Sequence, residues 1–354
     1  MREYGFELRL AAHLERSVAT TAGGERTQGR VSTEAGRDPA VADLEPGGIL
    51  ARQLGTSVAG VGARVMDLVY VEPGPEFDAR RRLSAATIPP LAIESEVGIG
   101  RFTPVSRAID APPEIATHVA ETAAEAGFFE LGRRSGTAVV RQTTRYPAWY
   151  GGLIGIENKP DLASPGDLAA QLRQDVSLGV LDAVILATES YVTRAHLNRL
   201  PDAVGVWQVD LSGASPIEVR RPPEPLGADE PGFEILAEQP GQFEVEPVSP
   251  GAKARQRRRI AERAYGKGWR TFELPACANA SPTDVAETAG LPGCDWKGRL
   301  VDPAAECGPG CGGHEPAPPP AVDLDAERAR RTPWVEDPPG VARRQADLAH
   351  FRED

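Results

Sequence analysis

Lysine is nearly missing from this chain. Of 39 basic residues only Lys159, Lys253, Lys267 and Lys297 are lysine, and the first 252 residues hold just one of them. A GC-rich genome or adaptation to salt favours arginine wherever a permanent planar charge will serve. Lys159 is therefore either a surface lysine or a position that needs a compact ammonium with a tunable pKa. Long apolar runs are missing as well: nothing approaches the roughly 18 residues of a spanning helix, and there is no charged-then-apolar leader. The expectation is a cytoplasmic protein with no membrane partner. Histidine is scarce, and His13, His118, His196, His314 and His350 show no helical pairing for metal. Neither a glycine-rich phosphate loop nor a serine or cysteine triad can be read.

What is present begins with charge. The chain of 354 residues carries a formal charge of −12, with 33 prolines and 37 glycines. That composition suits a loop-rich protein of two domains. Its most legible stretch runs from Trp149 to Ser190. Leu153 to Lys159 reads as a strand that is apolar at entry and polar at exit, so alternation puts Glu157 and Lys159 on one face, about 7 Å apart. Ser164-Pro165-Gly166-Asp167 reads as a helix start with Ser164 as N-cap. Leu168, Leu172, Val176 and Val180 then share one helix face, and Gln171 and Asp175 another. Ala183 to Thr188 reads as a buried parallel strand, completing a right-handed crossover.

Taken in order, residues 1–16 read as a helix that could project Glu7 inward or leave it solvated. Residues 17–46 have the composition of a disordered insertion. Residues 47–75 hold two strands, and in the second Asp67 interrupts the apolar run Val65 to Val71. A buried charge there must be paired, bind metal or cap a turn. Residues 76–146 form a separate α+β module in which helices precede a hairpin with Arg133 and Arg134 near its tip. It is either winged-helix-like or a plain cover for the sheet, with Glu94 and Glu96 as spare acidic candidates. Residues 147–220 resume the sheet, and the proline-rich, acidic stretch 221–250 reads as a linker. A basic helix follows within 251–314, where Lys253, Arg257 and Arg258 are candidate phosphate contacts unless the helix merely offsets the acidic surface.

All four cysteines, Cys277, Cys294, Cys307 and Cys311, fall within 35 residues, with His314 close behind. In a reducing compartment such a set suits a zinc site; an iron–sulfur cluster or unliganded thiols are the alternatives. Residues 315–354 read as a flexible tail.

Asp67, the triplet Glu157-Asn158-Lys159, the helix bearing Gln171 and the strand Ala183 to Thr188 together resemble the PD-(D/E)xK nuclease superfamily, the restriction-endonuclease-like fold. Nearly the whole chain also resembles an uncharacterised family of halophilic archaea. The superfamily resemblance implies an α/β fold, a mixed sheet flanked by helices, here with the inserted module and the cysteine-rich region. It implies catalytic roles for Asp67, Glu157, Lys159, Glu7 and Gln171, with Mg²⁺ or Mn²⁺ on Asp67 and Glu157. The activity implied is a metal-dependent endo- or exodeoxyribonuclease acting on DNA in repair, recombination or defence. A catalytically inactive nucleic-acid-binding or regulatory protein on the same scaffold is the alternative, and a partner-binding protein organised by the cysteines a third. The 90 or so residues between Asp67 and Glu157 depart from the usual short hairpin, so the module must leave and rejoin one sheet edge.

Overall fold

The structure, a computed structural model, describes residues 3–18, 44–59, 64–213, 215–285 and 288–331. Most of the expected 17–46 insertion and residues 332–354 of the expected tail lie outside these. The described residues divide into two compact units: one built from those up to Pro75 and from Tyr150 onward, the other from Glu76–Trp149.

The first unit opens with α1 (Glu3–Val18), followed by β1 (Ile49–Gly55) and β2 (Val65–Pro73). Phe6, Leu10 and Leu14 recur at helical spacing and bury against Leu50, Leu68, Tyr70 and Ile156. Each such side chain contributes about 1.5–3 kcal/mol by leaving water, so α1 is pinned to the sheet by this stripe.

The second unit holds α2 (Phe77–Arg81), α3 (Pro90–Ile93), β3 (Thr103–Pro104), α4 (Val105–Ala108), α5 (Pro113–Glu125), β4 (Phe129–Arg134) and β5 (Thr137–Gln142). Its three strands lie in the order β3-β5-β4, all antiparallel. Helix α5 stops where Gly127 turns to a φ of +72°. The β4–β5 hairpin turns through Ser135 and Gly136, both at positive φ, the conformation of a tight primed turn. Ala116, Ala120 and Ala123 of α5 pack with Phe128, Phe129 and Val140 in a core of this unit's own.

The first unit resumes with β6 (Tyr150–Asn158), α6 (Leu168–Leu178), β7 (Ala183–Thr188), α7 (Arg194–Leu197), β8 (Gly205–Val209) and β9 (Ile217–Arg221). These complete a six-stranded mixed sheet in the order β1-β2-β6-β7-β8-β9. β1, β2 and β6 are antiparallel, β6, β7 and β8 parallel, and β9 antiparallel again. The expected α/β class, a mixed sheet flanked by helices, is therefore observed. The start of α6 differs from expectation. Gly166 takes a φ of +56°, which cannot begin a right-handed helix, so Ser164 to Gly166 are turn and α6 starts at Leu168 behind Asp167.

The expected 221–250 linker is a correction, because β10 (Gly232–Gln239) and β11 (Gln242–Val248) form an antiparallel hairpin there. Its root sits so close to α6 that a Cβ on Gly232 would meet the Leu178 carbonyl oxygen at 2.2 Å. Proline content hid this, since Pro223, Pro225 and Pro231 precede β10 and Pro240 lies in the turn. Next come α8 (Pro250–Lys267), capped by the Ser249 hydroxyl, which accepts from Ala252 N, then β12 (Ala280–Val285), β13 (Thr288–Cys294), β14 (Arg299–Leu300), α9 (Pro303–Glu306) and α10 (Leu324–Arg331). Among the described residues no helix is long and apolar enough to cross a membrane.

Candidate active site

The antiparallel register of β2 and β6 pairs Leu68 with Ile156; one step further brings Asp67 opposite Glu157. The backbone N–H of Asn158 donates to Asp67 Oδ2 at 2.8 Å, so the two segments meet although 91 residues separate them. The remaining contacts come from β1 and α1. Gln53 donates its side-chain amide to Asp67 Oδ1 at 3.2 Å and to Glu7 Oε1 at 3.2 Å. It does so from a φ of +55°, rare for a residue with a Cβ and breaking the alternate-face pattern of a strand. Arg52 Nε donates to Glu7 Oε1 at 2.8 Å. Glu7 is thus buried and paired, which resolves whether it faces solvent.

Glu157 is held by a residue that sequence reasoning passed over. Arg64, just before β2, donates Nη2 to Glu157 Oε2 and to Asp175 Oδ2, both at 2.7 Å, and its Nε to both Asp175 oxygens. All three side chains are buried. Burial works against the Arg64 charge, but Asp175 and Glu157 outweigh it and hold its pKa above the usual guanidinium value. Burial also raises Asp175, and raises Glu157 with help from Asp175 and Glu3, while Arg64 opposes both shifts. Asp67 is pushed up to about 8, first by burial, then by the charges of Glu157 and Glu7, against the Asn158 N–H and Arg64. The cluster is short of positive charge.

Lys159 lies just past the end of β6, where its N–H still donates to the Ala187 carbonyl, and its Nζ stands 3.5 Å from Glu3 Oε1. Glu3 was passed over in the sequence, although it lies four residues before Glu7 and hence on the same helix face. Gln171 is half-buried on α6 and hydrogen-bonds none of these carboxylates; the glutamine in contact with them is Gln53. The side-chain amide of Asn158 is fully buried, and neither its Oδ1 nor its Nδ2 has a partner among the described residues.

Two of the expected nucleic-acid contacts are corrections. Lys253 is buried, with Nζ donating to the Gly227 and Glu230 carbonyls. Arg257 is also buried and donates to the Val180 carbonyl and Asp182 Oδ2. Both use their charge to hold neighbouring loops, because the face of α8 that carries them turns inward. Arg258 is half-buried, and Arg133 and Arg134 are exposed.

The four cysteines are free thiols that, with His314 and Lys297, line one small pocket. Cys294 ends β13, Cys307 follows α9, and Cys277 is bridged backbone to backbone with Pro316. The Cys307 thiol is pushed up by burial and by the other three cysteines, with Lys297 opposing. No group of three or more His, Cys, Asp or Glu side chains among the described residues is arranged to hold a metal ion.

A family model described as a family of unknown function, DUF5787, matches residues 49–316, well over half of the chain. The chain belongs to the DUF5787 family. The matched region takes in Gln53, Arg64, Asp67, the Glu157-Asn158-Lys159 triplet, Asp175 and all four cysteines. No curated protein and no solved structure matches the chain significantly.

Proposed function

We propose that this protein is a metal-dependent nuclease of the PD-(D/E)xK type that hydrolyses phosphodiester bonds, with DNA as its substrate. One observation carries the reading: Asp67 and Glu157 stand on adjacent antiparallel strands, tied by the Asn158 N–H, with Lys159 directly after, despite the inserted unit between them. The succession of α1, an antiparallel β1-β2-β6 ladder, α6 and the parallel β7 supports the restriction-endonuclease-like assignment. The donor set fits a hard divalent cation in its chemistry, since two carboxylates and the Asn158 carbonyl offer oxygen alone. Such a set needs only two acidic side chains. A Mg²⁺ or Mn²⁺ held there supplies a Lewis acid that acidifies water and offsets charge at phosphorus.

The chain's own residues do the rest. Lys159 orients the attacking water or takes its proton, and meets the charge that develops on the phosphate. Glu3 steadies the Lys159 ammonium. Gln53 and Arg52 fix Glu7 and Asp67, and Asp175 shares Arg64 with Glu157. In the inserted unit, the four helices α2 to α5 that precede the β4–β5 hairpin support a winged-helix reading. The exposed face of its α5 carries Glu114, Glu121 and Glu125 and no lysine or arginine. Nucleic-acid contact in that unit is therefore assigned to the hairpin arginines Arg133 and Arg134 rather than to α5. The four thiols suit a structural Zn²⁺, with an iron–sulfur cluster as the alternative.

Arg64 favours the second reading, a nucleic-acid-binding or regulatory protein without catalysis, because its guanidinium already satisfies one oxygen of Glu157. Cleavage of labelled single-stranded, double-stranded and branched DNA, and of RNA, with Mg²⁺ or Mn²⁺ separates the two. Cutting by wild type that is lost in folded Glu157→Gln and Lys159→Ala variants supports a nuclease. Binding without cutting supports the second reading, and neither would remove both.

A further inference from the structure

A wide cleft in the first unit lies outside the carboxylate cluster but shares Arg52 with it. Its volume is about 730 Å³, and it is lined by Tyr4, Arg52, Thr271, Phe272, Pro275 and His314, among others. Arg52 stands between the two. Its Nε is spent on Glu7, whereas its Nη1 lies 3.5 Å from the Thr271 hydroxyl and its guanidinium carbon 4.9 Å from the centre of the Tyr4 ring. Burial pushes the Tyr4 phenol up to about 12, against Arg52, so it stays a neutral donor at working pH. One corner of the cleft thus gathers a guanidinium, a phenol and a hydroxyl. The other walls mix Phe272, Leu274, Pro275 and Pro303 with Cys277, Cys307 and His314, which the cleft shares with the thiol pocket. Two acids also reach the lining. Asp302 is occupied in capping α9, its Oδ1 accepting from Ala304 N, and Glu273 is exposed.

A small anion would fill only a corner of this space, since pockets for whole organic ligands run to roughly 300–1000 Å³. We infer that the cleft binds a phosphate-bearing nucleotide, free or at the end of a strand, with the phosphate on Arg52, Tyr4 and Thr271 and the sugar and base along the proline wall. The phosphate part stands on the donors alone; the nucleotide part rests on the nuclease reading. Arg52 would then touch bound phosphate with one edge and position Glu7 with the other.

The test is binding without added divalent cation, at fixed salt because charge contacts weaken with salt. Internally labelled oligothymidylates bearing a phosphate at the 5′ end, the 3′ end or neither are compared by fluorescence anisotropy, with thymidine and thymidine monophosphate as competitors. One terminal phosphate should tighten binding about tenfold, as charge-assisted hydrogen bonds do. That gain should shrink to about threefold or less in Tyr4→Phe with Thr271→Val. Thr271 is exposed, so Thr271→Val alone serves if the double variant fails to fold. Competition by the free monophosphate, but not the nucleoside, would place the site's requirement in the phosphate itself. Equal affinities with and without phosphate, or an undiminished gain in folded variants, would overturn the site. Phosphate-dependent binding here, with no cleavage in the Mg²⁺ or Mn²⁺ assay above, would keep the phosphate site and remove the nuclease reading. Cleavage with no phosphate dependence would remove the site alone.

Discussion

Gln53 joins Glu7 to Asp67 through one side-chain amide, donating at 3.2 Å to each, from a left-handed backbone. A residue with a Cβ is disfavoured in that conformation by about 1–2 kcal/mol. The amide's hold on two carboxylates is what the geometry obtains for that cost. Gln53→Gly should therefore be more stable than Gln53→Ala by about 1 kcal/mol in urea unfolding, since both lose the amide and only glycine relieves the backbone. Equal midpoints would show that no strain resides there.

Arg64 is the only cation in direct contact with both Glu157 and Asp175 among the described residues. Removing it leaves two buried carboxylates uncompensated, so Arg64→Met should cost about 3–5 kcal/mol. If a divalent cation can share this cluster, Mg²⁺ should recover part of the loss, read as a larger upward shift of the thermal midpoint in the variant than in wild type. No difference between the two would mean that Arg64 and the cation do not compete.

The raised pKa of Asp67 fixes the sign of a pH effect. Its folded value of about 8 lies above the ordinary 3.8, so the native state binds this proton more tightly than the unfolded chain does. That stabilisation is fully present below the ordinary carboxylate pKa and is lost as pH rises through about 8. Glu157 and Asp175, also raised, act in the same direction. Without divalent cation, stability should decline from about pH 4 to pH 8, and Asp67→Asn should flatten the decline. A slope of opposite sign in wild type would contradict the reading of the cluster as short of positive charge.

At the other end of the chain, purified protein should carry one Zn²⁺ per molecule by elemental analysis. Single serine substitutions at Cys277, Cys294, Cys307 or Cys311 should each lower that content. Iron with visible absorbance would assign a cluster instead. Full metal content after every substitution would detach the thiols from any metal.

Lys253 should behave as a structural residue. Lys253→Ala strands the Gly227 and Glu230 carbonyls without their donor and should destabilise by about 2–4 kcal/mol. Nucleic-acid affinity, measured under conditions where the variant is folded, should stay unchanged, whereas Arg133→Ala with Arg134→Ala should reduce it.

The strands and helices of the sheet were legible because each carries a strong local period: Phe6, Leu10 and Leu14 for α1, and the unbroken apolar run Ala183 to Thr188 for β7. Asp67 stood out as a charge inside an apolar run, and Glu157 and Lys159 as charges at the end of one. Arg64, Arg52 and Gln53 did not, because arginine is ordinary in this composition and their partners come from elements distant in sequence. Glu3 was readable from its spacing to Glu7. In α8 the count of charges misled: seven basic residues suggest a surface, yet Lys253 and Arg257 face inward because carbonyls and Asp182 await them there. The β10–β11 hairpin was obscured by its prolines, most of which flank it, while Pro247 sits within β11 opposite Phe233.

Pro73 and Tyr150 pair across β2 and β6, so the polypeptide departs for the second unit and comes back at a single rung. Seen from the sheet, 76 intervening residues have the same end-to-end distance as a tight turn, and loop closure depends only weakly on length. The inserted unit can be exchanged, trimmed or excised as one cassette without shifting the register that sets Asp67 beside Glu157. A chain in which a short turn joins the two strands should keep the carboxylate cluster, and whatever selectivity the cassette confers would separate from the chemistry as a transferable property.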